Sequence, residues 1–243
     1  MKKILFILTA VLFISCDKDD TDLTCLSDCT LIQGQFLTSK GAPLQNVNVS
    51  INYYESHGIG ASIRRIKKAK TDENGNFQMK FYINNDELGK VPGYFQFVYD
   101  YSELDSEVFI DSSEYNSYVI GSIYSRDTII DVEFYNPKKA YITINLNNFI
   151  PTNQDDFFTV SSLYPIGRRI GQNQFISSPY QLGYDGNKAF ATAIYTTVDS
   201  VLVAESDYNR LSIMKRKNGG ETLEENHEIF VPVDSSIVLD YDY

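Results

Sequence analysis

Residues 71–77 read Thr71-Asp72-Glu73-Asn74-Gly75-Asn76-Phe77, and this stretch decides how the surrounding chain is read. Asp72 and Asn74 are residue types whose side chains cap nearby backbone amides, and Gly75 takes a positive φ without steric cost, so the segment is a tight turn. Phe77 then opens a run in which every second residue is apolar: Phe77, Met79, Phe81 and Ile83. That period of two marks a strand with one face buried. Upstream, Val47, Val49, Ile51 and Tyr53 show the same alternation. They follow another turn, Gly41-Ala42-Pro43-Leu44, in which Pro43 fixes φ.

The pattern continues outward. Ile130, Val132 and Phe134 alternate, as do Ile142, Ile144 and Leu146, with turn signals at Lys40-Gly41, Asn74-Gly75, Asp185-Gly186-Asn187 and Asn218-Gly219-Gly220. No long stretch has a 3.6-residue apolar period; Glu221 to His227 has room for one short helical turn. Of 243 residues, 43% are hydrophobic and 22% charged, a globular balance. The 18 Tyr and 15 Phe, with no Trp, suit pleated surfaces. Asn136-Pro137-Lys138-Lys139 is a boundary, because Pro cannot donate to a central ladder. It divides the mature region into halves of sandwich size. In the second half, strands are expected near Tyr141–Asn147, Ala189–Thr197, Ser200–Glu205, Leu211–Lys217, Glu228–Val233 and Ile237–Tyr241. Residues 147–188 are the least patterned part and read as a long loop.

Taken together, Gly34, Gly41-Ala42-Pro43-Leu44, Val47-Asn48-Val49 and Thr71 to Phe77 resemble the carboxypeptidase regulatory-like domain, a transthyretin-like β-sandwich, over roughly residues 31–135. The resemblance implies a fold and no peptidase activity. The expected architecture is all-β, with two tandem β-sandwich domains. Residues 31–136 form the transthyretin-like one, and residues 137–243 form a second that is Ig-like or transthyretin-like.

The N-terminus carries an address. Lys2 and Lys3 precede an apolar stretch, Ile4 to Ile14, which is shorter than the roughly 20 residues of a membrane-spanning helix and fits a signal-peptide core. Phe13-Ile14-Ser15-Cys16 resembles the lipobox of bacterial lipoproteins, with Phe13 where that motif usually has Leu. The resemblance implies a signal peptide over residues 1–15 and Cys16 as the acylated (palmitate-bearing) residue. Residues 16–30 then form an acidic tether. Within it, Lys18, Asp19 and Asp20 resemble the surface-export signal of Bacteroidota-type lipoproteins, implying display on the outer face of the outer membrane. A plain solvated tether, with the protein on the periplasmic face, is the alternative. Cys25 and Cys29 remain as an even pair in an oxidising compartment, and Leu26-Ser27-Asp28 must turn for them to bond.

A formal charge of −11 argues against nucleic acid as a partner. Three Cys and two separated His, His57 and His227, do not make a metal array, and no metal or cofactor is expected. There is no Gly-x-Ser-x-Gly elbow, phosphate loop or dinucleotide fingerprint. Ser212-Ile213-Met214-Lys215 matches Ser-x-x-Lys, but on a strand that odd spacing sends the two side chains to opposite faces. A glycosidase needs only two acids at a set separation, but among 32 acids adjacency in sequence marks no such pair, and Asp155-Asp156 and Glu224-Glu225 read most simply as solvated loop charges. No catalytic residue is therefore assigned.

Three features could carry binding. Arg64 to Lys70 is a basic run, read as a solvent-facing strand whose charges discourage edge pairing. Phe157, Phe158, Tyr164, Phe175, Tyr180 and Tyr184 could form a stacking platform for sugars. Asp127-Thr128-Ile129 and Asp199-Ser200-Val201 resemble the O-glycosylation pattern of Bacteroidota-type exported proteins, making Thr128 and Ser200 candidate acceptors. The expected function is a non-catalytic surface lipoprotein whose partner is a glycan or a surface protein. A structural spacer is the first alternative, and a polysaccharide hydrolase the second.

Overall fold

A computed structural model describes residues 25, 27–38, 41–58, 60–110, 117–171, 174–178, 181–182 and 184–243. The candidate lipidation residue Cys16 and the export residues Lys18, Asp19 and Asp20 lie outside the described residues. The chain is all-β and forms two β-sandwiches in tandem. No helix among the described residues is long and apolar enough to cross a membrane.

The first sandwich holds β1 (Thr30–Leu37), β2 (Asn48–Ser56), β3 (Ala61–Lys70), β4 (Asn76–Phe81), β5 (Gly93–Asp100), β6 (Ser117–Gly121) and β7 (Ile129–Tyr135). One sheet runs β3-β2-β5-β6; in the other, β1 lies between β4 (antiparallel) and β7 (parallel). The alternation in β4 puts Phe77, Met79 and Phe81 in the core and Asn76, Gln78 and Lys80 in solvent. Phe36 is the centre of an aromatic cluster. Its ring stacks on Phe134 at 4.7 Å and packs edge-on against Tyr99 at 5.6 Å.

The turn before β4 is built as its residue types require. The Asp72 carboxylate accepts hydrogen bonds from the N–H groups of Asn74 (2.9 Å) and Asn76 (2.8 Å). Gly75 has φ of 72°, and a Cβ there would lie 2.4 Å from the Phe36 carbonyl oxygen. The buried Thr71 hydroxyl donates to Leu44 O (2.7 Å) and accepts from Val47 N–H (2.9 Å). This locks the Gly41–Leu44 turn to the first residue of the turn between β3 and β4, so the two sequence turns are one structural unit.

The second sandwich begins with β8 (Lys139–Asn147) and β9 (Phe157–Pro165). Next come β10 (Gly167–Gly171), β11 (Gln174–Ser178), β12 (Gln181–Leu182) and β13 (Tyr184–Asp185). It ends with β14 (Lys188–Thr192), β15 (Ser200–Ala204), β16 (Asp207–Arg216), β17 (Thr222–Val231) and β18 (Ile237–Asp242). Two expectations are corrected here. Residues 147–188 are not one long loop but contain β9 to β13. Glu221 to His227 form no helical turn; Thr222 onward is strand, held by antiparallel pairing of β17 with β16.

Once β10–β13 are set aside as an insertion, the second sandwich repeats the first strand for strand. β8 lies between β15 (antiparallel) and β18 (parallel), as β1 lies between β4 and β7. β9 pairs with β14 and β16 as β2 pairs with β3 and β5, and β17 is an edge strand like β6. Its core gathers Ile142, Ile144, Phe158, Val160, Leu211 and Ile213.

The insertion crosses to the first sandwich. β10 pairs antiparallel with β7, Gly167 opposite Tyr135 and Arg169 opposite Glu133, and the sheet becomes β12-β11-β10-β7-β1-β4. Between the sandwiches, Ile110, Tyr164, Ile166 and Ala204 form a small third core. Backbone bonds from Ile110 N–H to Pro137 O (3.1 Å) and from Glu205 N–H to Lys138 O (2.9 Å) grip the connecting segment. The Tyr135 hydroxyl also donates to the Asp207 carboxylate.

Asp156 does for the second sandwich what Thr71 and Asp72 do for the first. It is 1% exposed and accepts from the N–H groups of Thr152 (2.8 Å), Asn153 (2.9 Å) and Gly219 (2.9 Å), joining two loops at one end. Burial pushes its carboxyl up, but these N–H donors, together with the Thr152 hydroxyl, outweigh burial and hold it below the usual carboxylate range. A depressed folded pKa makes this stabilisation complete above the unfolded value, about 3.9, and lost as pH falls through the folded one. We therefore expect Asp156→Asn to lower the urea midpoint at pH 7 and to flatten its decline on acidification. Equal acid slopes in the two proteins would refute this.

Candidate functional site

The exposed face of the sheet β4-β1-β7-β10 forms an open trough of about 730 Å³. Alternation places its floor. Gln33 and Gln35 point outward from β1, Asn76 and Gln78 from β4, Asp131 and Glu133 from β7, and Arg169 from β10. Lys70 and Asp72 form one rim. The side chains are wired across the strands: Gln78 Nε2 donates to Gln33 Oε1 (3.1 Å), and Gln33 Nε2 donates to Asp131 Oδ1 (2.8 Å). Arg169 Nη1 reaches Glu133 Oε1 at 2.8 Å, with both side chains about two-fifths exposed.

The second sandwich completes this site. Arg169 is on the outward face of β10 and shares the trough, whereas Arg168 turns inward, with its guanidinium 4.0 Å from the ring of Tyr118 on β6. One short strand therefore extends the trough and also covers the gap between the edge strands of the two sheets.

Chemically, the trough offers paired amide donors and acceptors, two carboxylates on one strand and a guanidinium, all wet. Such a lining suits a polar, hydroxyl-bearing partner that can both give and take hydrogen bonds. No cluster of three metal-ligating side chains occurs among the described residues.

The residues singled out from the sequence are scattered. Cys25 and Cys29 are disulfide-bonded, with Cα atoms 5.8 Å apart. Thr128 is half-buried just before β7, and its hydroxyl donates to Ser125 O at 2.6 Å. Ser200 opens β15 opposite Thr143. The aromatic platform is not assembled: Phe158 and Tyr164 are buried core residues, and Phe157 lies under the Arg216 guanidinium. The side chains of Phe175, Tyr180 and Tyr184 lie outside the described residues.

The basic run forms β3, at a sheet edge as read, but it does not face solvent throughout. Ile66 is in the core, and Arg64 forms a two-pronged ion pair with the buried Glu87. The adjacent acids do not act as pairs. Asp156 is engaged by backbone amides, and Glu224 and Glu225, as neighbours on a strand, point to opposite faces. His57 meets Ser62 and His227 lies near Glu225, so the two histidines have separate surroundings.

Sequence reasoning missed the trough. Gln33, Gln35, Gln78, Asp131 and Glu133 read only as the polar partners of alternating strands. Gly167-Arg168-Arg169-Ile170-Gly171 shows no apolar alternation, because its inward residue stacks on a ring rather than entering a core.

No family model matches the chain, and no curated protein matches it. Among solved structures, the Bacillus anthracis TIE protein is 12% identical over 88% of this chain, which spans 33% of that protein's length (TM-score 0.31). The shaft pilin spaA of Lactobacillus rhamnosus GG is 12% identical, with 88% of this chain and 97% of the pilin covered (TM-score 0.26). BcpA, the major pilin subunit of Bacillus cereus, is 10% identical, with 84% and 69% covered (TM-score 0.28). Scores this low carry no conclusion about what this chain does.

The small core that holds β10 in place is the site's structural support. Replacing Ile166 (1% exposed) by Ala removes buried methyl groups and leaves a cavity. We expect a loss of about 2–5 kcal/mol in urea unfolding. Limited proteolysis should also speed up in residues 136–138. Unchanged cleavage there would mean that the junction does not depend on this core.

Proposed function

We propose that the chain is a non-catalytic, lipid-anchored surface protein whose two sandwiches act as one rigid body and present the trough to a glycan partner. The observation that carries this reading is the six-stranded sheet running from one sandwich into the other through β10 and β7. It supports the reading in two ways: it stiffens the junction, and it supplies Arg169 to a face already lined by amides and carboxylates. The amphiphilic N-terminus supports the anchor, with Cys16 as the acylated residue and Lys18, Asp19 and Asp20 directing outward display. In this proposal the first sandwich is a carboxypeptidase regulatory-like module, on the strength of its Gly41–Leu44 and Thr71–Phe77 turns. Thr128 and Ser200 remain proposed glycan acceptors.

A spacer role is the second reading, and the packed junction around Ile110, Tyr164, Ile166 and Ala204 favours it, since a spacer must not hinge. The two readings separate on ligand binding. On a glycan array, the Cys16→Ala chain is expected to bind at least one polar glycan class. Gln33→Ala combined with Arg169→Ala should weaken that binding about tenfold, as expected for losing one or two hydrogen bonds. Binding to no glycan would leave the spacer. Cys16→Ala should also move the protein from the membrane fraction to the soluble fraction; full retention in the membrane would overturn the anchor.

A further inference from the structure

Among the described residues, the repeated fold leaves the outer edge of its last strand unpaired. In the first sandwich the last strand, β7, is covered by β10. In the second, the equivalent strand β18 pairs only with β8 among the described residues. We propose that β18 accepts an added strand from a partner protein, an extended basic segment running antiparallel to it as β10 runs on β7. This goes beyond the trough reading and does not rest on it, since it concerns the other sandwich.

The backbone is poised for this pairing. In β7, the N–H of the next residue, Asn136, donates to Leu37 O, so by alternation Glu133 and Tyr135 face away from β1, and these are the residues that pair with Arg169 and Gly167. In β18, the N–H of the next residue, Tyr243, donates to Asn147 O at 3.1 Å. The same alternation aims the N–H and C=O groups of Val238, Asp240 and Asp242 away from β8, in a row that offers a ready ladder.

Burial tells the same story. The inward residues Val132 and Phe134 of β7 are 6% and 0% exposed, whereas Ile237, Leu239 and Tyr241 of β18 are only half-buried. On the facing edge strand β17, Leu223 is 57% exposed. The second core is thus less covered at the edge where the insertion closes the first.

Charge selects the occupant. Asp240 and Asp242 lie on β18, and Glu224, Glu225 and Glu228 on β17. The strand that fills the first edge brings two arginines, one onto Tyr118 and one onto Glu133. A second copy of β18 would instead set acids against acids, which is unfavourable across a ladder.

The test uses the lipidated full chain in detergent and, as probe, a labelled synthetic peptide copying residues 166–178, the insertion that fills the first edge. Saturable binding is expected by fluorescence anisotropy, with slowed hydrogen exchange at Val238, Asp240 and Asp242. Asp240→Pro removes one outward N–H while sparing the ladder to β8, and should weaken binding about tenfold or more. If that variant does not fold, Asp240→Lys with Asp242→Lys should weaken binding similarly by reversing the edge charge. A peptide with Arg168→Glu and Arg169→Glu should also lose affinity. No saturable binding, undiminished binding to these variants or of the charge-reversed peptide, or slowed exchange at Glu133 and Tyr135 instead would overturn the proposal. A concentration-dependent dimer abolished by Asp240→Pro would assign the edge to a second copy, and would overturn it as well.

Discussion

A β-sandwich whose last strand runs parallel to its first ends on a row of unpaired N–H and C=O groups, and something has to be done with that row. In this protein the answer for the first sandwich comes from the second. β10 pairs with β7, Arg169 meets Glu133, and Arg168 caps the gap by lying over Tyr118. That single strand addition joins the two sandwiches, closes the first core and extends the face on which the trough lies. The small core of Ile110, Tyr164, Ile166 and Ala204 follows from it, because the crossing chain must be held where it leaves β9.

The two sandwiches share a topology but secure their loops with different chemistry. In the first, a neutral hydroxyl, that of Thr71, bridges two turns, and an Asp72 carboxylate caps the second of them. In the second, the buried carboxylate of Asp156 gathers three backbone N–H groups from two loops. A carboxylate can accept several bonds at once, so one side chain joins the β8–β9 loop to the β16–β17 loop, and it ties the stability of that end to pH.

The functional consequence is that, among the described residues, the exposed chemistry of the trough belongs to a sheet face. The trough is a run of side chains at every second position on four strands, and no residue in it stands out from its neighbours in the sequence. The acids that do stand out, Asp155-Asp156 and Glu224-Glu225, are split between structural work and opposite faces of a strand. A binding or scaffolding role fits this distribution, since recognition of polar partners needs many modest hydrogen bonds spread over a surface.

The sequence by itself determined the all-β class, the strands with clean alternation, the tight turn at Asp72 to Gly75 and the extended chain break at Pro137. Each of these depends on local physics: period-two burial, a side chain capping its own backbone, and a missing N–H. Within residues 147–188, β10 was opaque because it pairs outside its own sandwich, with an arginine where a core residue would ordinarily be. The first part of β17, Thr222 to His227, was opaque because an edge strand leaves its inward side chains partly in water, so no apolar alternation marks it. Only the tertiary structure decided that the second sandwich repeats the first, that Arg169 joins Glu133, and that, among the described residues, one terminal strand is covered while the other is open. These depend on contacts between residues far apart in the chain, and no local pattern encodes which strand edge another strand will find.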